Sequence, residues 1–295
     1  MAHASSSVET VLGKKNANQL GRTLTHEHLS LNFAAFYVQP PDHLKRFLDG
    51  KIELRNVGML KQYPYSNPYN LIYNDQCTEE AILEDVRSYK EFGGGTIVEN
   101  SNYGLQRNIP FMRKVSQATG INVIAGTGYY VSATQTKEDL PKEDMYDVML
   151  KEMTIGCEEY PDVKTGFIGE VGSTWPITRT IPSPEDLLEF ADDAKCYCQF
   201  DLFGCECSFY QLSPSVDMIS DAQRIDRVKY FRNDQKLDRV LLSHDIHTKH
   251  RLMKFGGHGF SHILNNVVPK MTLKGFTSEE IDTLTIHNPR TWLTS

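Results

Sequence analysis

Two histidines separated by one residue are the first feature of this sequence that can do chemistry. His26 and His28 lie in the segment TLTHEHLSL, residues 23–31. Side chains alternate along a strand, so both imidazoles face one side while Glu27 faces the other. Two imidazoles on one side can bind one metal ion. A bare H-x-H also occurs in strands and loops that bind nothing, so its place in the fold has to decide.

Two carboxylates in apolar surroundings extend this set. Glu170 lies within FIGEVG, and Asp245 ends the apolar run RVLLSHD. A buried carboxylate is costly unless it is paired with a cation or bound to a metal. Each one is therefore either half of a core salt bridge or a metal ligand. Together with His26 and His28 they form a nitrogen and oxygen ligand set that suits a hard or borderline divalent cation.

Short apolar strands alternate with amphipathic helices along most of the chain. The spacing of apolar residues predicts helices over 78–92, 111–119 and 215–231, and Ser183-Pro184 opens another. This alternation predicts a parallel sheet with helices outside it. In a (β/α)₈ barrel the chemistry lies at the C-terminal ends of the strands. Polar residues mark those ends here: His26, His28, Asn100, Glu170, Asp201 and Asp245.

An open, doubly wound sheet is the competing architecture. It would fit the alternation, but it usually carries a glycine-rich phosphate turn after its first strand, and this sequence has none. The sequence therefore favours an α/β barrel, with residues 1–295 as one domain.

Composition indicates the kind of partner. The net charge of −7 disfavours nucleic acid and anionic lipid. No apolar run approaches the ~18 to 20 residues that span a bilayer, and the first residues lack the apolar region of a secretory signal. The six cysteines are then expected to be reduced thiols. We predict a cytosolic protein that acts on a small-molecule substrate and binds neither nucleic acid nor membrane.

Several segments together resemble a known family. They are TVLG, LGRTLTHEHL, GGGTIVENS, GFIGEVG, HDIHTKHRLMKFGGHGFSHIL and NPRTWL. These segments are similar to the phosphotriesterase-related proteins of the amidohydrolase superfamily, over about residues 8–293. The resemblance implies a (β/α)₈ TIM barrel of the metal-dependent hydrolase type. It also implies a divalent metal centre, with zinc as the expected ion, and hydrolysis of the amide bond of N-acetyltaurine or a similar N-acyl amino compound.

The resemblance also implies roles for four residues. His26 and His28 would bind the first metal ion, and Glu170 would supply the bridging carboxylate. Asp245 would be both a metal ligand and the catalytic proton shuttle. Two further residues remain open from their positions alone. Asn100 either lines the substrate pocket or caps its strand, and His247 either touches substrate or belongs to a loop that leads into a helix.

The chain departs from the family pattern in its middle. The family holds a second metal ion with histidines on the fifth and sixth strands, and no histidine occurs between His43 and His244. Only 75 residues separate Glu170 from Asp245, whereas four barrel units take about 120. We therefore expect a segment to be missing near Thr178 and Arg179, which leaves an incomplete barrel of about six strands. At most one metal ion and low activity would follow.

Three hypotheses stay open. The chain is either an impaired hydrolase or a silent, splice-type variant whose partial barrel serves as a binding or regulatory chain. A third hypothesis is a metal-binding module in which cysteines replace the lost histidines, since thiolates and imidazoles both bind zinc. The candidate ligands for it are the pairs Cys196/Cys198 and Cys205/Cys207, which are otherwise small buried residues or free thiols. His258 and His262 are expected to lie in a glycine-rich loop beside the site.

Overall fold

The computed structural model describes residues 6–135, 142–170 and 183–295. The strands are β1 Ser7–Thr10, β2 Gly13–Asn16, β3 Arg22–Glu27, β4 Leu31–Asn32, β5 Ile72–Tyr73, β6 Gly94–Glu99, β7 Asn122–Thr127, β8 Phe167–Ile168, β9 Cys198–Phe200, β10 Phe209–Tyr210, β11 Ser213–Asp217 and β12 Val240–Leu242. The α-helices are α1 Lys45–Leu48, α2 Val57–Gln62, α3 Pro68–Leu71, α4 Gln76–Glu91, α5 Ile109–Thr119, α6 Lys142–Thr154, α7 Pro184–Ala194, α8 Asp221–Asn233, α9 Val268–Leu273, α10 Ser278–Asp282 and α11 Asn288–Thr294.

Six parallel strands form one curled wall. β3, β6, β7 and β8 pair in that order, and β9 pairs with β12. The two sheets meet where β12 lies beside β3. There the Thr25 hydroxyl donates to the Leu242 carbonyl, and the Asp245 amide donates to the His26 carbonyl over 3.1 Å. The wall therefore runs β9-β12-β3-β6-β7-β8.

The wall is open between β8 and β9. No ladder joins these two strands in the residues that the structure describes. β8 contains two residues, and its Ile168 is 55% exposed among the residues that the structure describes. The architecture is an incomplete (β/α) barrel with six parallel strands in the described part of the chain, which confirms the predicted fold. The expected seam at Thr178 and Arg179 lies outside the described residues.

The helices predicted over 78–92 and 111–119 form close to those bounds, as α4 and α5. α4 buries a stripe at helical spacing that includes Ile82, Val86 and Tyr89. Its first turn is capped by Asp75, whose carboxylate accepts the Thr78 amide. α5 ends at Gly120, which has a φ of +70° and closes the helix in the left-handed conformation that glycine adopts without strain.

One helix prediction is wrong at its start. The helix expected over 215–231 begins at Asp221, and Ser213–Asp217 instead pairs with Phe209–Tyr210 as a hairpin. Ser220 fixes the true start, because its hydroxyl accepts the Gln223 amide while the Gln223 side chain accepts the Ser220 amide. The spacing of apolar residues does not reveal such a cap, because polar residues form it.

A separate apolar cluster closes the N-terminal end of the barrel, and we call it the floor cluster. Both ends of the chain contribute to it. Its members are Val8, Ala17, Leu20, Val98 and Ile124, with Phe167, Trp292 and Leu293 packed against them. Above it, Arg22 donates to Asp282 over 2.6 Å and to Thr285 over 2.5 Å, which fixes the last helices under β3.

The thiols agree with the sequence prediction. All six cysteines are free, and Cys157, Cys198 and Cys207 are buried. Among the residues described, no helix combines the length and apolar character that crossing a membrane requires.

Candidate metal centre

Four side chains meet at the C-terminal edge of the wall, and we call them the centre: His26, His28, Glu170 and Asp245. His26 is in β3 and His28 follows it, Glu170 comes two residues after β8, and Asp245 comes three residues after β12. Parallel strands end at the same edge of a barrel, so residues far apart in sequence are brought together there.

The distances within the centre are short. His26 Nε2 lies 3.4 Å from Glu170 Oε1 and 3.7 Å from Asp245 Oδ1. His28 Nε2 lies 3.2 Å from Asp245 Oδ1 and 3.9 Å from Glu170 Oε2. Ligand atoms of His26, His28 and Glu170 all lie within 4.8 Å of one another. The structure thus brings together all four residues to which the sequence analysis assigns metal binding.

The ring nitrogens fit a bound cation. His26 Nε2 is buried and has no hydrogen-bond partner. The opposite nitrogens are held from outside the centre: His28 Nδ1 lies 3.0 Å from Ser101 Oγ, and His26 Nδ1 lies 3.4 Å from Asp201 Oδ2. Such outer partners orient imidazoles that bind metals. Two imidazoles and two carboxylates suit zinc or another borderline divalent ion.

The electrostatics favour positive charge at this point. Burial lowers the pKa of His26, but Asp245 and Glu170 outweigh it, so this pKa lies well above its ordinary value. The pKa of His28 is also raised, because its interactions with Asp245 and Glu170 outweigh burial. Burial raises the pKa of Asp245, yet His247 and His26 hold it well below its ordinary value. The carboxylates of the centre therefore attract a cation.

Asp245 has an unusual backbone. Its φ of +54° lies in the left-handed region, which a non-glycine residue adopts only when its surroundings impose it. Its carbonyl accepts from Arg251 Nη1 over 2.9 Å and from His247 Nδ1 over 2.8 Å. With the bond to His26, these contacts hold the side chain over the centre.

The two residues suggested for a substrate pocket lie beside the centre. His247 Nδ1 is 3.1 Å from Asp245 Oδ1, and its Nε2 is 3.1 Å from the Tyr65 hydroxyl. Asn100 is buried, and its Oδ1 has no hydrogen-bond partner among the described residues. The backbone amide of Asn100 donates to the Glu27 carbonyl over 2.9 Å. The structure places both at this edge, and their contact with substrate stays a prediction.

The sequence analysis assigned no role to two buried carboxylates nearby. Asp201 faces His26, and the pattern of polar strand ends had already marked its position. Glu99 accepts the backbone amides of Leu29, which follows His28, and of Ser101, whose hydroxyl contacts His28 Nδ1. Burial raises the pKa of Glu99 to about 7. No short motif marks Glu99 in the sequence.

His258 and His262 lie in a separate group with a carboxylate and an arginine, which we call the second histidine cluster: Asp221, Arg224, His258 and His262. His262 Nε2 donates to Asp221 over 2.6 Å, and His258 Nε2 donates to the Gly204 carbonyl over 2.8 Å. Asp221, His258 and His262 line a cavity of about 400 Å³ together with Cys205 and Cys207. Within the described ranges, the set that meets metal-ligand spacing is the one formed by His26, His28 and Glu170.

Comparison with known proteins identifies the family. A model of the Phosphotriesterase family matches residues 6–183 and 179–293. The chain belongs to the phosphotriesterase family. Family members are hydrolases, usually metal-dependent. A phosphotriesterase-related protein of Aedes aegypti is 42% identical over 337 aligned positions, which cover 93% of this chain and 94% of the relative. One from Drosophila ananassae is 40% identical over 346 positions, which cover 98% and 99%.

Solved structures in the family share the fold. A resiniferatoxin-binding protein from Rhodobacter sphaeroides has a TM-score of 0.89 at 23% identity, covering 98% of this chain and 95% of the other. The phosphotriesterase homology protein of Escherichia coli, complexed with phosphate in its active site, has a TM-score of 0.70 at 22% identity, covering 93% and 99%. At this identity, the comparisons support the barrel and nothing finer.

Proposed function

We propose that this phosphotriesterase-family chain hydrolyses the amide bond of N-acetyltaurine or a similar N-acyl amino compound. The observation that carries the proposal is the convergence of the centre around His26 Nε2, a buried nitrogen without a hydrogen-bond partner. The amide substrate is supported by the six sequence segments that resemble the phosphotriesterase-related proteins. Six free cysteines support a reducing compartment, the cytosol.

The centre would hold the cation through the His26 and His28 Nε2 atoms and the Glu170 and Asp245 carboxylates. A bound divalent ion supplies a water of lowered pKa and polarises the scissile carbonyl. We assign zinc because of the mixed nitrogen and oxygen ligands. We expect one ion at most, because the described residues offer one such group of ligands.

Asp245 performs the proton transfers in this proposal. Its carboxylate accepts the proton of the attacking water and passes it to the leaving nitrogen, which must depart protonated. His247 steadies that carboxylate, with Nδ1 at 3.1 Å from Oδ1. The Phe33 and Tyr65 rings lie 5.0 and 6.1 Å from the His247 ring. They exclude water from this side of the centre.

A missing segment would explain the open wall. The alignments with the relatives run over 337 and 346 positions, whereas the chain has 295 residues. Each alignment is longer than the chain, so part of each relative has no counterpart in this chain. The two stretches that match the family meet at residues 179–183, next to Thr178 and Arg179. We propose that the strands carrying the second-metal histidines are absent, and that turnover is therefore slow.

A silent binding or regulatory chain is not favoured. Loss of metal chemistry would leave no reason for the centre to keep its geometry, and His26, His28, Glu170 and Asp245 still converge. The centre faces the same edge as Asn100 and His247, where a small molecule can approach it.

The test is release of taurine from N-acetyltaurine by the purified chain, measured with and without added Zn²⁺. N-acetyl amino acids form the comparison panel. The matched control is the double variant His26→Asn/His28→Asn. We expect slow release that depends on Zn²⁺ and disappears in the control. Release that is equal in the control, or no hydrolysis of any N-acyl compound, would refute the proposal.

A further inference from the structure

Glu27 lies between the two histidines of the centre and faces away from them. Its side chain is fully buried. Oε1 accepts the Ser243 hydroxyl over 2.7 Å, the His244 amide over 2.8 Å and His244 Nδ1 over 2.7 Å, and Oε2 accepts the Ile246 amide over 3.0 Å. One carboxylate thus receives four hydrogen bonds, all from the segment that follows β12.

These four donors surround Asp245. Two come from His244, directly before Asp245, and one comes from Ile246, directly after it. These bonds therefore hold the backbone on both sides of the left-handed φ at Asp245. Asp245 itself donates its amide to the His26 carbonyl. Its place is therefore fixed by two consecutive residues of β3, by His26 through the backbone and by Glu27 through the side chain.

The network extends one step further. His244 Nε2 accepts the Ile263 amide over 3.0 Å, so its Nδ1 carries the proton that is donated to Glu27. Glu27 thereby ties three elements together: β3, the end of β12 and the helical turn that begins at Ile263. A buried polar network of this kind is rigid when all its members are satisfied.

We propose that Glu27 is a positioning residue that holds Asp245 in the metal centre. The inference rests on the proposed function and adds a residue to it. Without the four hydrogen bonds, residues 243–246 can shift and Asp245 can leave its left-handed φ, and its carboxylate then moves away from His26 and His28. The carboxylate form matters, because glutamine offers one acceptor oxygen and turns an N–H group towards donors.

The experiment measures Zn²⁺ affinity rather than turnover. Glu27→Gln is expected to raise the dissociation constant for Zn²⁺ by roughly 10- to 100-fold, which is typical of residues behind metal ligands. The matched control is Glu152→Gln, a buried glutamate outside the centre that accepts from Arg107 and Tyr103. We expect the control to change Zn²⁺ affinity by less than about twofold.

A double-mutant cycle separates positioning from general structural damage. In an Asp245→Ala background, Glu27→Gln should weaken Zn²⁺ binding by less than about twofold further, because its effect passes through Asp245. An equally large effect in both backgrounds would overturn the proposal. Should Glu27→Gln fail to fold, Ser243→Ala removes one of the four donors, and we expect a several-fold weakening that also vanishes in the Asp245→Ala background.

A second measurement needs no metal. Amide hydrogen exchange of residues 243–246 in the metal-free chain should rise in Glu27→Gln and stay unchanged in Glu152→Gln. Unchanged exchange in Glu27→Gln would also overturn the inference. Neither readout depends on hydrolysis, so a wild-type chain that binds Zn²⁺ without cleaving any substrate would count against the proposed function alone.

Discussion

The centre and the second histidine cluster each combine two histidines with carboxylates, yet their charges are arranged differently. In the second cluster, Asp221 is matched by Arg224 at 3.0 Å and by His262 at 2.6 Å. His258 faces no carboxylate in the described chain, and burial lowers its pKa to about 3. In the centre, two carboxylates face two imidazoles, and no lysine or arginine pairs with them among the described residues.

This difference separates the candidate metal centre from a cluster held together by ion pairs. Both groups contain histidines, and both are largely buried. Each group leaves a buried imidazole nitrogen without a hydrogen-bond partner, His26 Nε2 in the centre and His258 Nδ1 in the second cluster. The carboxylate of the second cluster is matched by an arginine, whereas the two carboxylates of the centre face only histidines among the described residues. Carboxylates without a lysine or arginine partner therefore distinguish the centre from the second cluster. Neither the number of histidines nor an unpartnered imidazole nitrogen does so.

The largest effect should come from removing the imidazoles of each group in turn. His26→Asn/His28→Asn should weaken Zn²⁺ binding by more than about 100-fold, because ligand loss exceeds the usual effect of outer partners. His258→Asn/His262→Asn carries the same pair of substitutions and should leave binding unchanged. Equilibrium dialysis with metal analysis measures both. Equal losses in the two variants would abolish the distinction.

Metal should also stabilise the fold through the centre alone. At a free Zn²⁺ concentration of 100 times its dissociation constant, binding to the folded state adds about 2.7 kcal/mol. That corresponds to a rise of roughly 4 °C in melting temperature for a chain of this size. The rise should be reversed by a chelator and absent in His26→Asn/His28→Asn. A rise that persists in that variant would place the ion elsewhere.

The second cluster should respond to pH rather than to metal. Burial raises the pKa of Asp221, but His262, the Gly204 amide and Arg224 lower it to about 2. Because this value lies below the ordinary one near 3.8, the carboxylate contributes roughly 2 kcal/mol above about pH 4 and loses it as pH falls towards 2. Asp221→Asn should lower the free energy of unfolding at pH 7, and the deficit should shrink in acid.

The control for this measurement is Asp226→Asn, which alters an exposed carboxylate paired with Lys274. Surface pairs of this kind contribute little, about 0 to 1 kcal/mol. Urea unfolding at several pH values compares the three proteins. A deficit in Asp221→Asn that is independent of pH would mean that packing, and not charge, holds the second cluster.

The smallest effect is expected for the thiols. Cys205→Ser and Cys196→Ser, both at partly exposed positions, should leave the Zn²⁺ stoichiometry unchanged, because no cysteine lies in the ligand group of the centre. Metal analysis of the purified variants decides it. A loss of bound Zn²⁺ in either would revive a cysteine-based module.

The sequence predicts this centre well because its information is local. His26 and His28 share a strand face through their spacing, and Glu170 and Asp245 follow apolar strands whose ends meet at one edge. A helix start was equally predictable where a cap is encoded in adjacent residues, as at Ser183 and Pro184. These features need only the strand period, the barrel topology and a few neighbouring residues.

Other features depend on distant partners and could not be predicted. In the sequence, Glu27 is only the residue of H-x-H that faces away from the two histidines. Its hydrogen bonds could not be predicted, because the donors lie 216 to 219 positions later in the chain. The role of Asp201 depends on its distance to His26, which the spacing of residues along the sequence does not give. The hairpin at Ser213–Asp217 was missed because it pairs exposed residues, and apolar periodicity is blind to such strands.

The floor cluster has a consequence for the time at which the protein can fold. Arg22 and its partner Asp282 are 260 positions apart, and Trp292 packs on Phe167. At roughly 5 to 20 residues per second, synthesis takes on the order of 10 to 50 s to pass from Arg22 to Asp282. During that interval β3, β6 and β7 exist as a nascent wall without its lower covering. The floor is therefore laid last, and the nascent chain depends on shielding of its apolar surface until the final helix has left the ribosome.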